Sequence, residues 1–154
     1  MHMTKSQLMA SLVIAGGFLA IIDVCRAAEE IPLRTLAKGG FSGITNKQQL
    51  VITNQPAWRQ FWAKHNVSVK SAEKVPPVDF EKEMVVAIAI GQQRTGGYRI
   101  EITAVEAEAD KLRITYKRYA PPPDGINLQV ITSPFHFVAV PKSDLKPEFM
   151  ETEK

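Results

Sequence analysis

The sequence predicts a mainly β domain, an antiparallel β-sandwich or partly closed sheet that carries one packed helix at about residues 55–65. Three observations predict it. Met84 to Ile90 is apolar at every position, and a run that short, closed by Gly91, reads as a strand covered on both faces. Tyr98, Ile100 and Ile102 then alternate with Arg99, Glu101 and Thr103, the signature of a strand with one wet face. Only Trp58, Phe61, Trp62 and His65 recur at the spacing of three and four that a helix requires.

Taken in order, residues 28–39 form a polar and apolar lead-in, flexible or serving as an edge strand. Gly39, Gly40 and Gly43 mark a turn-rich junction, and Leu50-Val51-Ile52 is a short strand. Asn54 is placed to cap the helix and Pro56 suits its first turn. The two tryptophans on its apolar face read as a plug onto the sheet in preference to a sugar-binding platform. The segments 84–90 and 98–105 read as a central hairpin joined through the Gly91–Gly97 turn. The alternation slips by one residue near Thr103–Ala104, which a β-bulge would explain. Ala109-Asp110-Lys111 turns the chain into a strand in which Leu112, Ile114 and Tyr116 alternate with Arg113, Thr115 and Lys117. Pro121-Pro122-Pro123-Asp124-Gly125 makes a stiff surface loop. Leu128 to Ile131 and Phe135 to Val140 read as the last two strands, and the charged tail, 146–154, reads as frayed.

Bulk properties bound the function. At 154 residues, with 45% hydrophobic and 23% charged residues, the chain suits one domain able to bury its own core. The net charge is +3, and without a basic tract nucleic acid is not an expected partner. Residues 1–27 read as a secretory signal peptide. Lys5 precedes the uncharged stretch Leu8 to Ile22, Asp23 and Arg26 end it, and Ala27 and Ala28 supply small residues for cleavage near Ala27. Fifteen uncharged residues are short for a membrane span, which takes about 20. Cys25 is the only cysteine, so cleavage leaves neither a disulfide nor a thiol nucleophile. Lipidation of Cys25 is the alternative that would place the protein on a membrane, and Ile22-Asp23-Val24 before it departs from the small uncharged residues such a site uses.

Several motifs carry a family resemblance. Val78-Asp79-Phe80 with Met84-Val85-Val86, the Gly91-x-x-x-Thr95-Gly96-Gly97-Tyr98 turn, the proline-rich loop, and Thr132-Ser133-Pro134-Phe135-His136 ending in Val140-Pro141-Lys142 resemble the PrcB C-terminal domain family. Ser42-Gly43-Ile44 and the Trp58 to Trp62 helix extend the likeness over residues 40–145. The resemblance implies a small exported β domain, and the family is named for a lipoprotein subunit that associates with a surface serine protease and helps keep that complex stable. A fainter similarity links Thr95-Gly96-Gly97-Tyr98 and Ser133-Pro134-Phe135 to the binding loops of chagasin-like cysteine peptidase inhibitors, although Gln92 to Arg94 replace the asparagine and proline of the first loop.

Catalytic chemistry is not indicated. After the leader only His65 and His136 remain, without ligand-spaced neighbours, and they read as packing or hydrogen-bonding histidines. Ser133, His136 and Asp79 form a triad only on paper, because Ser133 lacks the Gly-x-Ser-x-Gly elbow. Gly91 to Gly97 lacks the ending of a phosphate loop. The expected function is therefore non-catalytic, without metal or cofactor. It is an exported protein, periplasmic or secreted, that associates with and stabilises another exported protein, a protease being the expected class. Arg94, Thr95, Gly96, Gly97, Tyr98, Ser133, Pro134 and Phe135 are the candidate partner-binding residues, since Tyr and Arg are frequent interface anchors.

Overall fold

The computed structural model describes residues 27–67 and 74–152. The predicted signal peptide, apart from Ala27, and Cys25 with its lipidation alternative lie outside the described residues. Eight strands and one helix follow in the order β1 (Glu29–Glu30), β2 (Arg34–Gly39), β3 (Gln48–Ile52), α1 (Gln55–Asn66), β4 (Glu83–Ala89), β5 (Arg99–Ala107), β6 (Lys111–Tyr119), β7 (Phe135–Pro141) and β8 (Lys146–Thr152). They form two four-stranded sheets, β1-β5-β6-β8 and β2-β7-β4-β3. Every pairing is antiparallel except β6 with β8. A sandwich with one helix is therefore the architecture.

Period-two alternation explains the layering. Along β4, Met84, Val86 and Ile88 turn into the core between the sheets, where Val138 and Val140 of β7 meet Ile100, Ile102 and Val105 of β5 and Leu112, Ile114 and Tyr116 of β6. Val85, Ala87 and Ala89 turn the other way, into a second core beneath α1. That double burial is why β4 is apolar at every position from Met84 to Ala89. On the helix, Asn54 Oδ1 accepts the Ala57 amide at 2.9 Å as the N-cap. Trp58 and Trp62 are buried against Phe137, with ring centroids 6.2 Å and 6.4 Å away, so they plug helix to sheet as expected. The predicted bulge appears as a register shift between Ile102 and Ala104.

Three expectations are corrected. The segments 84–90 and 98–105 do not make a hairpin. Both edges of β4 are taken, by β3 and β7, so the chain leaves through Gly91 (φ +81°) and crosses to the opposite sheet. Leu128 to Ile131 is not a strand. Its only ladder contact is the isolated bridge between Gln93 and Thr132 at its end, and its apolar side chains face solvent. Over its described residues the tail does not fray, because Lys146–Thr152 pairs as β8 with Lys111 to Lys117 of β6, with Leu145 and Phe149 packed on the main core.

Candidate functional site

At one end of the sandwich, three loops meet: the glycine junction around 40–46, the crossover 90–98 and the long connection 120–134. Main-chain bonds knit them. Gln93 and Thr132 exchange amide bonds at 2.7 Å and 3.0 Å, the Gly96 amide donates to Leu128 O at 2.9 Å, and the Gln92 amide donates to Thr45 O at 2.9 Å. The Thr132 hydroxyl donates to Thr95 O at 3.0 Å, and the Ser133 amide to Gly40 O at 2.8 Å. Gly97 needs to be glycine on two counts. Its φ is +89°, and a β-carbon there would lie 2.7 Å from Pro121.

The structure brings the two predicted motifs together but divides their side chains between surface and interior. Arg94 and Gly97 are exposed, Thr95 and Tyr98 are half-buried, and Gly96 is covered by Leu128 and Val130. Tyr98 rests on the edge of the main core with the Arg118 guanidinium 5.8 Å from its ring centroid. Ser133, Pro134 and Phe135 are all buried. Phe135 packs against the His65 ring at 4.3 Å between centroids.

The apolar surface beside the turn comes from residues that sequence reasoning assigned elsewhere. Ile126, Leu128 and Ile131 project into solvent from the 120–134 connection, Leu128 at 75% exposure. Phe41, also exposed, shares a small hollow of about 100 Å³ with Ile131, Gln92 and Ser133. Clustered exposed aliphatic residues of this kind mark interaction surfaces. The available signal was the run Ile126, Leu128, Val130, Ile131 after three prolines, whose alternation is that of a strand. Basic groups flank the patch. Arg99 lies 4.8 Å from the Tyr119 ring centroid, and with Arg118, Gly97 and Pro121 it borders a concavity of about 760 Å³. Among the described residues Arg94, Arg99 and Arg118 form no ion pair.

The two histidines are engaged inside the fold. His65 Nδ1 lies 2.9 Å from Ser42 Oγ, which also accepts the Ile44 amide at 3.1 Å. His136 Nδ1 accepts the Ile102 amide at 2.8 Å, joining the two sheets, and its Nε2 lies 3.0 Å from Thr35 Oγ1. Burial lowers both imidazoles to about 4, and for His136 the nearby Lys38 lowers it further while Glu101 opposes that. With both ring nitrogens of His136 occupied and Asp79 paired to Lys82 at 3.7 Å, Ser133, His136 and Asp79 form no proton relay. Among the described residues no group of three or more His, Cys, Asp or Glu is gathered as a metal site would require, and no helix is long and apolar enough to cross a membrane.

No curated protein and no solved structure matches the chain. Residues 84–141 match the family model described as PrcB C-terminal. That span runs from β4 to the end of β7 and contains the crossover and the proline-rich connection, two of the three loops that build the tip.

Proposed function

We propose that this chain is an exported accessory protein that docks on another exported protein through the tip, and that a protease is the class of partner it stabilises. The carrying observation is the exposed pair Leu128 and Ile131, with Leu128 against Gly96 of the Arg94–Tyr98 turn and Ile131 sharing a hollow with Phe41; Leu128 and Ile131 lie inside the segment that matches the PrcB C-terminal model. The family match supports an accessory role in a protease complex, and the buried, hydrogen-bonded histidines support a role without catalysis. Aliphatic side chains supply the centre of the contact and Arg94, Arg99 and Arg118 favour an acidic rim on the partner. Ser133, Pro134 and Phe135 act behind this surface, holding the loop from inside.

Affinity capture from the envelope fraction with the tagged full chain tests the proposal. It expects a partner that survives mild washing, is released as salt rises, and is lost when Leu128→Asp and Ile131→Asp are combined. Recovery of no partner, or of the same partner by the double variant, contradicts it. The chagasin-like alternative expects inhibition of a papain-like peptidase that Tyr98→Ala abolishes, and absence of inhibition removes it.

A further inference from the structure

A second surface lies along the edge of the helix-bearing sheet formed by β3. Strand β3 pairs with β4 on one side only and ends the sheet. Which of its main-chain groups are free follows from alternation. The Ile90 amide donates to Pro134 O on the β7 side, so Ala89, Ala87 and Val85 direct theirs toward Gln48, Leu50 and Ile52, their register partners on β3. The amides and carbonyls of Gln49 and Val51 therefore point out of the sheet.

The other edge strands are guarded. β2 carries Arg34, Lys38 and a register shift between Thr35 and Ala37. β8 carries Lys146, Pro147, Glu148 and Glu151, and β1 is two glutamates long. Charges, prolines and bulges are the usual means of blocking edge-to-edge pairing. β3, Gln-Gln-Leu-Val-Ile, has none of them. It is also the edge strand beside the helix. Between it and α1 runs a groove of about 300 Å³ bordered by Leu50, Thr53, Ala57, Gln60, Phe61 and Lys64. The groove continues past Lys64 into a hollow of about 220 Å³ that ends at the exposed Val67. Lys64 is the one charged residue bordering either hollow, it is exposed, and no acid offsets it on α1.

We infer that the β3–α1 groove binds an extended peptide segment, which adds a strand to β3 through the main chain of Gln49 and Val51, seats an apolar side chain over Leu50, Ala57 and Phe61, and places an acidic side chain against Lys64. An unpaired edge supplies affinity through main-chain bonds, and the flanking groove reads alternate side chains of the added strand. The groove's far hollow reaches the 40–46 loop of the tip, but the contacts named here, on β3 and α1, include none of the Leu128 and Ile131 patch, so the inference stands or falls independently of the partner proposed above.

The test is selection of a display library of random ten-residue peptides on the full chain, followed by binding measurements with the enriched peptides. The expected result is a shared apolar-x-acidic pattern, with affinity reduced about tenfold or more by Lys64→Glu and lost on N-methylation of alternate peptide amides. Val51→Pro removes an outward donor at a position where an edge strand tolerates proline, and it too abolishes binding. Ala57→Arg fills the groove from the helix surface without touching the edge, so it gives the same loss even where the proline variant fails to fold. Enrichment of no peptide overturns the inference, as do enriched peptides whose affinity is indifferent to both Lys64→Glu and Ala57→Arg.

Discussion

His65 and His136 are neutral inside this protein because burial strips the water that would stabilise their cations. Their bonds fit that state, since His136 Nδ1 accepts an amide and so carries no proton there. The sign of the pH dependence follows. In the unfolded chain each imidazole takes up a proton below about 6.5, whereas in the fold it does so only near 4. Stability is therefore full above pH 6.5 and falls as pH drops from 6.5 toward 4. Between pH 7 and 5 each histidine withdraws roughly 2 kcal/mol, and urea midpoints at the two values measure the sum. His65→Phe lowers stability at pH 7, where the Ser42 bond is lost, but flattens the pH slope by about half. Gly97 is the other residue whose identity is dictated by its surroundings. With φ at +89° and Pro121 where a β-carbon would go, Gly97→Ala costs about 1–3 kcal/mol, read as a lowered urea midpoint at constant slope. All three residues were prominent in the sequence, but only the three-dimensional packing explains why each is there.

Elements were legible where one segment's own pattern decided them. The apolar run of β4, the capped helix with Trp58 and Trp62 on one face, and the slip at Thr103–Ala104 each carry local periodicity that packing later uses. Pairing was not legible, because the sequence of β4 shows that both faces are covered without showing which strands occupy its edges. The apparent hairpin with β5 is a crossover for that reason. Leu128 to Ile131 shows the converse error, since alternation there meets no neighbouring strand and the side chains stay in solvent. The segment 145–152, which holds β8, was missed because its charges mask two core contacts. Phe149 and Leu145 pack inward, Glu151 accepts the Tyr116 hydroxyl at 3.0 Å and Lys111 pairs with Glu148 at 2.7 Å. Truncation after Leu145 should thus behave as loss of a structural strand. It bares the edge of β6, lowers Tm by about 5 °C or more and promotes aggregation, as thermal unfolding and light scattering will report. An unchanged Tm would return the segment to the status of a tail.

At the scale of the whole molecule, two cores, one between the sheets and one beneath the helix, support loops that leave aliphatic and cationic side chains in solvent at one end. The candidate turn was readable in the sequence, because Gly96-Gly97 between Arg94 and Tyr98 marks a close approach. The patch beside it was not, since Leu128 and Ile131 return to that turn only after β5 and β6 carry the chain away and back, and Phe41 reaches Ile131 and Gln92 from before β3. Stability and docking should accordingly separate. Trp58→Ala, beneath the helix, costs roughly 3–5 kcal/mol, whereas Leu128→Asp with Ile131→Asp leaves Tm unchanged. The most direct test is quantitative capture of envelope proteins by the native chain and by that double variant, with folding of both verified by thermal unfolding. The account predicts a salt-sensitive protein partner recovered by the native chain and lost by the folded variant. Equal recovery by both, or recovery by neither, contradicts it.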